Sequence, residues 1–180
     1  MHKKIPYSFT FISNLNKKEI INLDQKVGII LRNYEEKFDK NKILNFKKFC
    51  KKQKKPFFLA NDIKLAINLD LDGVYIPAFN KNLNFKKYNK KNKFLILGSA
   101  HNMNEIKTKE TQGVDVIFLS PIFKTKNYKK GLEIIKFNIL AGKSNKKIIA
   151  LGGITKKNIN KLKITNAYGF SGISYFKNQQ

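Results

Sequence analysis

The sequence predicts one α/β domain over residues 1–180, a minimal (β/α)8 (TIM) barrel with its last outer helix missing. Three observations predict it. Short apolar runs, many of them β-branched, alternate strictly with longer stretches of helical or lysine-rich character, as in a parallel sheet covered by helices. The alternation yields eight strands, the number that closes a barrel, and seven helices. The residues just past the strands are cations, amides, hydroxyls and glycines, the kind of chemistry that gathers at the C-terminal rim of such barrels. An open doubly wound sheet is the competing architecture. With 180 residues, 42% of them hydrophobic, the chain can bury one sizeable core, but only if its loops are stripped.

Residues 7–13 read as the first strand, and an Asn/Lys-rich turn leads to a short helix at 17–23. Residues 26–32 form the second strand, ending on Arg32. Asp39 then caps a helix on which Ile43, Leu44, Phe46, Phe49 and Cys50 share a face, and Pro56 stops it. The third strand, 57–60, runs into Asn61-Asp62. A helix at 63–69, a strand at 73–76 and a helical turn at 83–88 follow. Strand 94–98, helix 103–111, strand 116–120 and helix 132–140, closed near Gly142, continue the series. Strand 147–151, helix 156–162 and strand 170–174 complete it.

The net charge of +25 raises the question of nucleic acid. Lysines occur in nearly every segment beside abundant Asn and Ile, as a codon bias would produce, and no nucleic-acid motif accompanies them, so that partner is not expected. Among 37 Lys+Arg the single arginine is Arg32, a planar bidentate donor that lysine does not replace. No run approaches 18 apolar residues and the first residues lack a signal core, so a cytoplasmic protein with no membrane partner is expected. A lone Cys50 excludes an internal disulfide, and no Cys/His cluster has metal-ligand spacing.

Two joins carry the chemistry. Val116-Ile-Phe-Leu-Ser-Pro runs straight into a loop whose lysines and Thr125 can hold an anion. Ile148-Ile-Ala-Leu ends in Gly152-Gly153, and Thr155 stands where a helix N-cap would, opening backbone N–H groups toward a phosphate. With the other strand ends they give one set: Arg32, Asn61, Asp62, Asn80, Ser99, His101, Ser120, Thr125, Lys126, Lys129, Gly152, Gly153, Ile173 and Ser174. This set suits a site for phosphorylated small molecules, with Asp62 able to hold Mg2+.

Six stretches carry a family resemblance: Leu59-Ala-Asn-Asp-Ile-Lys-Leu-Ala66, Asp72-Gly-Val-Tyr-Ile76, Leu97-Gly-Ser-Ala-His101, Ser120-Pro-Ile-Phe-Lys-Thr125, Ala150-Leu-Gly-Gly-Ile-Thr155 and Gly172-Ile-Ser174. In order and spacing they resemble the motifs of thiamine phosphate synthases and their thiazole tautomerase (TenI-like) relatives. The resemblance implies a transferase of thiamine biosynthesis, joining hydroxymethylpyrimidine diphosphate to thiazole phosphate with release of pyrophosphate and with Mg2+ on the leaving group. It implies that Arg32, Asn61, Asp62 and Lys129 hold the diphosphate, that Ser99 and Lys129 are catalytic, and that Asp62 and Asn80 hold the metal. Thr125, Gly152, Gly153, Ile173 and Ser174 would hold the thiazole phosphate. A non-catalytic or altered-substrate phosphate-binding barrel of the same superfamily is the alternative.

Several positions depart from the pattern. Asn80 stands where the synthases carry a second metal-binding Asp, Ile30 replaces a Gln, Tyr75 a His, and Asn127-Tyr128 the usual Thr-Lys. Pro121 stands where the tautomerases have a histidine. The missing last helix would leave apolar wall bare around Phe9, Phe11, Phe170 and Tyr175, so a homodimer that strengthens with salt is expected.

Overall fold

A computed structural model describes residues 3–35 and 38–177. Eight parallel strands close into a barrel in sequence order, with β8 returning to pair with β1. They are β1 Ser8–Ile12, β2 Gly28–Leu31, β3 Phe57–Ala60, β4 Gly73–Ile76, β5 Leu95–Ala100, β6 Val116–Leu119, β7 Lys147–Leu151 and β8 Gly169–Ser171. The helices are α1 Lys18–Ile21, α2 Lys40–Lys52, α3 Ile63–Asn68, α4 Met103–Gln112, α5 Glu133–Gly142 and α6 Ile173–Lys177, with 3-10 segments at Asn84–Lys87 and Ile159–Ile164.

The near-continuous apolar strands follow from burial on both faces. One set of alternate residues, including Phe9, Phe11, Ile30, Phe58, Tyr75, Leu97, Phe118 and Ile149, fills the barrel. The other set, including Ile29, Leu31, Phe57, Val74, Ile96 and Ile117, packs outward on Phe46 of α2, Ile106 of α4 and Phe137 of α5. Inside, aromatic rings meet edge to face: Phe9 and Phe118 at 4.9 Å, Phe11 and Tyr75 at 5.1 Å, Tyr75 and Phe118 at 5.6 Å. Each such buried ring adds about 2 kcal/mol over its exposed state. Interior aromatics therefore make the barrel a packed core whose chemistry is confined to its ends.

The later elements depart from the expected pattern. The helix expected at 156–162 is a 3-10 segment beginning at Ile159, and the turn expected at 83–88 is also 3-10. Thr155 does not cap a helix: its N–H donates to Asn158 Oδ1 at 2.8 Å, while Asn158 Nδ2 donates to Gly153 O at 2.8 Å. The last strand stops at Ser171, because the chain turns at Gly172 and coils into α6.

That short helix fills part of the eighth outer position. Its Phe176 is buried and stacks on Phe170 at 6.0 Å. The bare wall expected around Phe9, Phe11, Phe170 and Tyr175 is therefore absent: Phe9 and Phe11 point into the barrel, and Phe170 lies against Tyr175 and Phe176. The homodimer inferred from that wall loses its patch. No helix among the described residues is long and apolar enough to cross a membrane.

Candidate functional site

At the C-terminal rim, the end of β2 is tied to β1 by the Arg32 N–H, which donates to Ile12 O at 2.8 Å. The Arg32 guanidinium then lies over the Phe11 ring, 4.4 Å from its centre, a stacking that only a planar cation makes well. Tyr75 of β4 and Ser99 of β5 are buried beside it. Burial pushes the Tyr75 hydroxyl upward in pKa, while Ser99 and Arg32 act on it in the opposite direction. These three polar groups face the mouth on a floor of Phe11 and Phe118. A cavity of about 630 Å3 opens beside Arg32 and is also lined by Phe11, Asn14 and Ile173. Ser171 adds a hydroxyl that is fully buried without a hydrogen-bond partner; its pairing with Phe9 turns it toward the barrel interior.

The two joins singled out in the sequence meet on one rim. Ile122 N–H donates to Leu151 O at 2.8 Å, and Phe123 N–H donates to Gly152 O at 3.1 Å, so the loop after β6 lies on the turn after β7. Gly152 and Gly153 have φ of +97° and +70°. A Cβ on Gly153 would sit 2.5 Å from Lys124 O, and one on Gly152 2.7 Å from Pro121 Cβ, so the close approach requires glycine twice. The Ser120-Pro121 bond is cis. Thr125 closes its own loop, with its N–H donating to Tyr128 O and its hydroxyl accepting from Tyr128 N–H at 3.1 Å. Lys124, Lys126 and Lys129 are exposed on that loop, and no ion pair holds them among the described residues.

On the opposite side of the rim, Asp62 caps α3 by accepting from Leu65 N–H at 2.9 Å. Asn61, with φ of +62°, precedes it and accepts from Asn80 Nδ2 at 2.7 Å. Asn80 Oδ1 in turn accepts from Asn82 N–H. Asn80 thus holds the Asn61-Asp62 turn, and both ends of its amide are engaged. Asn80 is itself held from beneath. The fully buried Lys109 ammonium donates to Pro77 O, Asn80 O and Gln112 Oε1, each at 2.8 Å, and Gln112 Nε2 donates to Asn80 O and Asn82 O. Desolvation lowers the Lys109 pKa to about 8. Among the described residues no group of three His, Cys, Asp or Glu converges as a metal cage. Asp62 is the one carboxylate of this turn, and with one oxygen on Leu65 N–H it could hold Mg2+ only in the sparse mode, one carboxylate with the remaining positions left to water and substrate phosphate.

His101 Nδ1 lies 2.8 Å from Glu105 Oε2, which also accepts from His101 N–H at 2.7 Å. Burial works to raise the Glu105 carboxyl, but these bonds outweigh it and hold its pKa below the ordinary value. The His101 ring stacks on Tyr128 at 6.2 Å, linking β5 to the cationic loop. Ser174 is exposed in the first turn of α6. Arg32, Asn61, Asp62, Asn80, Ser99, Thr125 and the glycines are legible in the sequence as residues just past strands, whereas the supporting Lys109, Gln112, Glu105 and Ser171 are not. Only Glu105 left a trace in the sequence, as an acid four residues after His101.

A family model described as thiamine monophosphate synthase matches residues 18–176. The chain is 35% identical over 130 residues to a putative thiamine-phosphate synthase 2 of Aquifex aeolicus (strain VF5), covering 69% of this chain and 68% of that protein. It is 29% identical over 147 residues to thiamine-phosphate synthase 1 of Streptococcus pneumoniae (strain ATCC BAA-255 / R6), covering 75% and 68%. In three dimensions it is similar to a thiamine phosphate pyrophosphorylase from Pyrococcus furiosus, with a TM-score of 0.72 at 15% identity over 96% of this chain and 90% of that one. FabK from Thermotoga maritima superposes with a TM-score of 0.70 at 12% identity over 96% and 59%, a likeness of fold alone.

Proposed function

Because the chain belongs to the thiamine monophosphate synthase family, we propose that it is a thiamine-phosphate-synthase-like transferase joining hydroxymethylpyrimidine diphosphate to thiazole phosphate. The observation that carries the reading is the rim where the cationic loop after β6 lies on the Gly152-Gly153 turn, across the mouth from the stacked Arg32. Backbone at two glycines, the Thr125 hydroxyl and the start of α6 at Ile173-Ser174 suit a phosphate on one side. Arg32, Asn61, Asp62 and the exposed Lys129 suit a diphosphate on the other, with Ser99 beside the pyrimidine ring.

The chemistry asks little of protein bases. The bond between the pyrimidine methylene carbon and the diphosphate oxygen breaks, with its electron pair leaving on pyrophosphate, and the thiazole nitrogen supplies the pair for the new C–N bond. Bound at Asp62, Mg2+ would supply charge neutralisation for the diphosphate. Arg32 and Lys129 add positive charge where negative charge grows, and the packed aromatic floor fixes the two halves in line and excludes water.

A second reading is favoured by one observation: residue 80 is an amide rather than a second carboxylate, and both of its ends are engaged within the protein. In that reading the barrel binds a phosphorylated thiazole or a related ligand without coupling. Thermal shift with each half tests both. Thiazole phosphate and the pair pyrophosphate with Mg2+ should each raise the melting temperature, the second effect disappearing in Arg32→Ala. Stabilisation by thiazole phosphate alone would favour the binding-only reading, and no shift with either would reject both.

A further inference from the structure

We propose that the N-terminal mouth of the barrel, at the end opposite the candidate site, is a second binding site for an organic polyphosphate with an apolar body, of the nucleoside diphosphate kind. A cavity of about 840 Å3 opens there, within the size range of small-molecule sites. Its lining comes from residues at or just before the first turns of the strands, with Ser8 at β1, Lys26 before β2, Pro56 before β3, Asp72 before β4 and Leu95 at β5. The floor is apolar: Phe58 and Leu95 belong to the interior core, and Ile5 packs against it.

Four lysines, Lys4, Lys26, Lys54 and Lys93, line the same cavity. In a chain this rich in lysine a cluster alone carries little, and what sets these four apart is that they line one cavity with an apolar floor. Lys3 pairs with Asp115, Lys47 and Lys91 pair with Asp70, and Lys55 donates to Leu23 O. Among the described residues the four cavity lysines have no side-chain hydrogen bond or ion pair. The carboxylate lining the cavity, Asp72, accepts from Phe57 N–H at 2.9 Å. The four lysines are exposed at the rim of the cavity, so their attraction for a polyanion is that of a concave cluster of like charge, and the apolar floor supplies the contact for the body of the ligand.

The two lysine-bearing turns are also fixed to one another. Lys26 N–H donates to Lys54 O at 3.2 Å, and Ile29 N–H donates to Pro56 O at 2.8 Å. Lys26 and Lys54 both occupy the left-handed region, with φ of +74° and +55°. A neighbouring cleft of about 600 Å3 shares Lys54, Pro56, Asp72 and Lys93, leaving room for an extended phosphate chain.

Titration of the full chain with N-methylanthraniloyl-ADP at physiological salt tests the site. Binding should saturate, and Lys54→Gln with Lys93→Gln should weaken it at least about tenfold, as expected when charge-assisted contacts are removed. The charge-matched control Lys107→Gln with Lys136→Gln, on the outer faces of α4 and α5, should leave binding unchanged, as should Arg32→Ala at the opposite end. ADP should displace the probe at lower concentration than inorganic pyrophosphate does. Equal loss in both lysine pairs would mean attraction to the overall charge and would overturn the proposal. So would absence of saturation, loss in Arg32→Ala, or displacement by pyrophosphate as readily as by ADP. Loss in Arg32→Ala would place the diphosphate of the probe at the opposite rim, whereas the outcomes for the two lysine pairs do not depend on the coupling reaction.

Discussion

Lys109 and Arg32 behave in opposite ways as signals. Arg32 is legible because it is the one arginine in a lysine-rich chain, and it proves to be stacked on Phe11 at the barrel mouth. Lys109 cannot be distinguished in the sequence from the solvated lysines around it, yet it is fully buried and holds the loop that carries Asn80. Replacing it by Met keeps the volume but removes three buried hydrogen bonds, to Pro77 O, Asn80 O and Gln112 Oε1; Asn80 N–H still serves the first carbonyl and Gln112 Nε2 the second, while Gln112 Oε1 loses its donor. Lys109→Met should therefore cost about 3 kcal/mol in a denaturant titration. The same residue has a signed pH effect. Its folded pKa of about 8 lies below the ordinary lysine value, so between those limits the unfolded chain binds more protons, and this group's contribution makes stability rise with pH. Measured as wild type minus Lys109→Met, the stability difference should grow in favour of wild type from pH 8 toward pH 10; a flat difference would mean that Lys109 titrates as an ordinary lysine.

Among the elements, strands and long helices followed from periodicity, whereas the segments after β7 did not. Residues 170–176, Phe-Ser-Gly-Ile-Ser-Tyr-Phe, have the aromatic and β-branched content of a strand. Packing of Phe176 onto Phe170 instead folds the second half into α6. Likewise Thr155 is a good cap by type, but Asn158 reaches both Thr155 N–H and Gly153 O and displaces it. The contact between the β6 loop and the β7 turn was foreseen only as two anion-binding ends. What the sequence does not carry is that the Gly153 hydrogen faces a carbonyl, Lys124 O. Gly153→Ala should lose about 2 kcal/mol or more from the left-handed φ and the clash. It should also abolish the thermal shift given by thiazole phosphate while sparing that given by pyrophosphate with Mg2+. Loss of both shifts would show that the two sides of the rim are not independent.

For the whole molecule, strict alternation specified parallel strands covered by helices, and the count of eight favoured the closed barrel over an open doubly wound sheet. The assembly inferred with it rested on an apolar wall that α6 and the barrel interior account for. The charge of +25 remains a property of the entire chain. Self-repulsion extends about 30 Å at 0.01 M salt and about 10 Å at 0.1 M. The melting temperature should accordingly rise between those two salt concentrations, with sodium chloride and potassium chloride equivalent. A decrease would mean that ion pairs such as Lys3 with Asp115 outweigh the repulsion.

The rim chemistry is tested most directly by turnover. The purified 180-residue chain incubated with hydroxymethylpyrimidine diphosphate, thiazole phosphate and Mg2+ should form thiamine phosphate and pyrophosphate in equal amounts, read by chromatography and pyrophosphate release. Arg32→Ala should reduce kcat/KM by about a hundredfold, equivalent to one charge-assisted contact to the leaving diphosphate. Equimolar products that depend on Arg32 are the expected result. Absence of thiamine phosphate at every Mg2+ concentration, from a protein whose melting temperature still rises with thiazole phosphate, would contradict it.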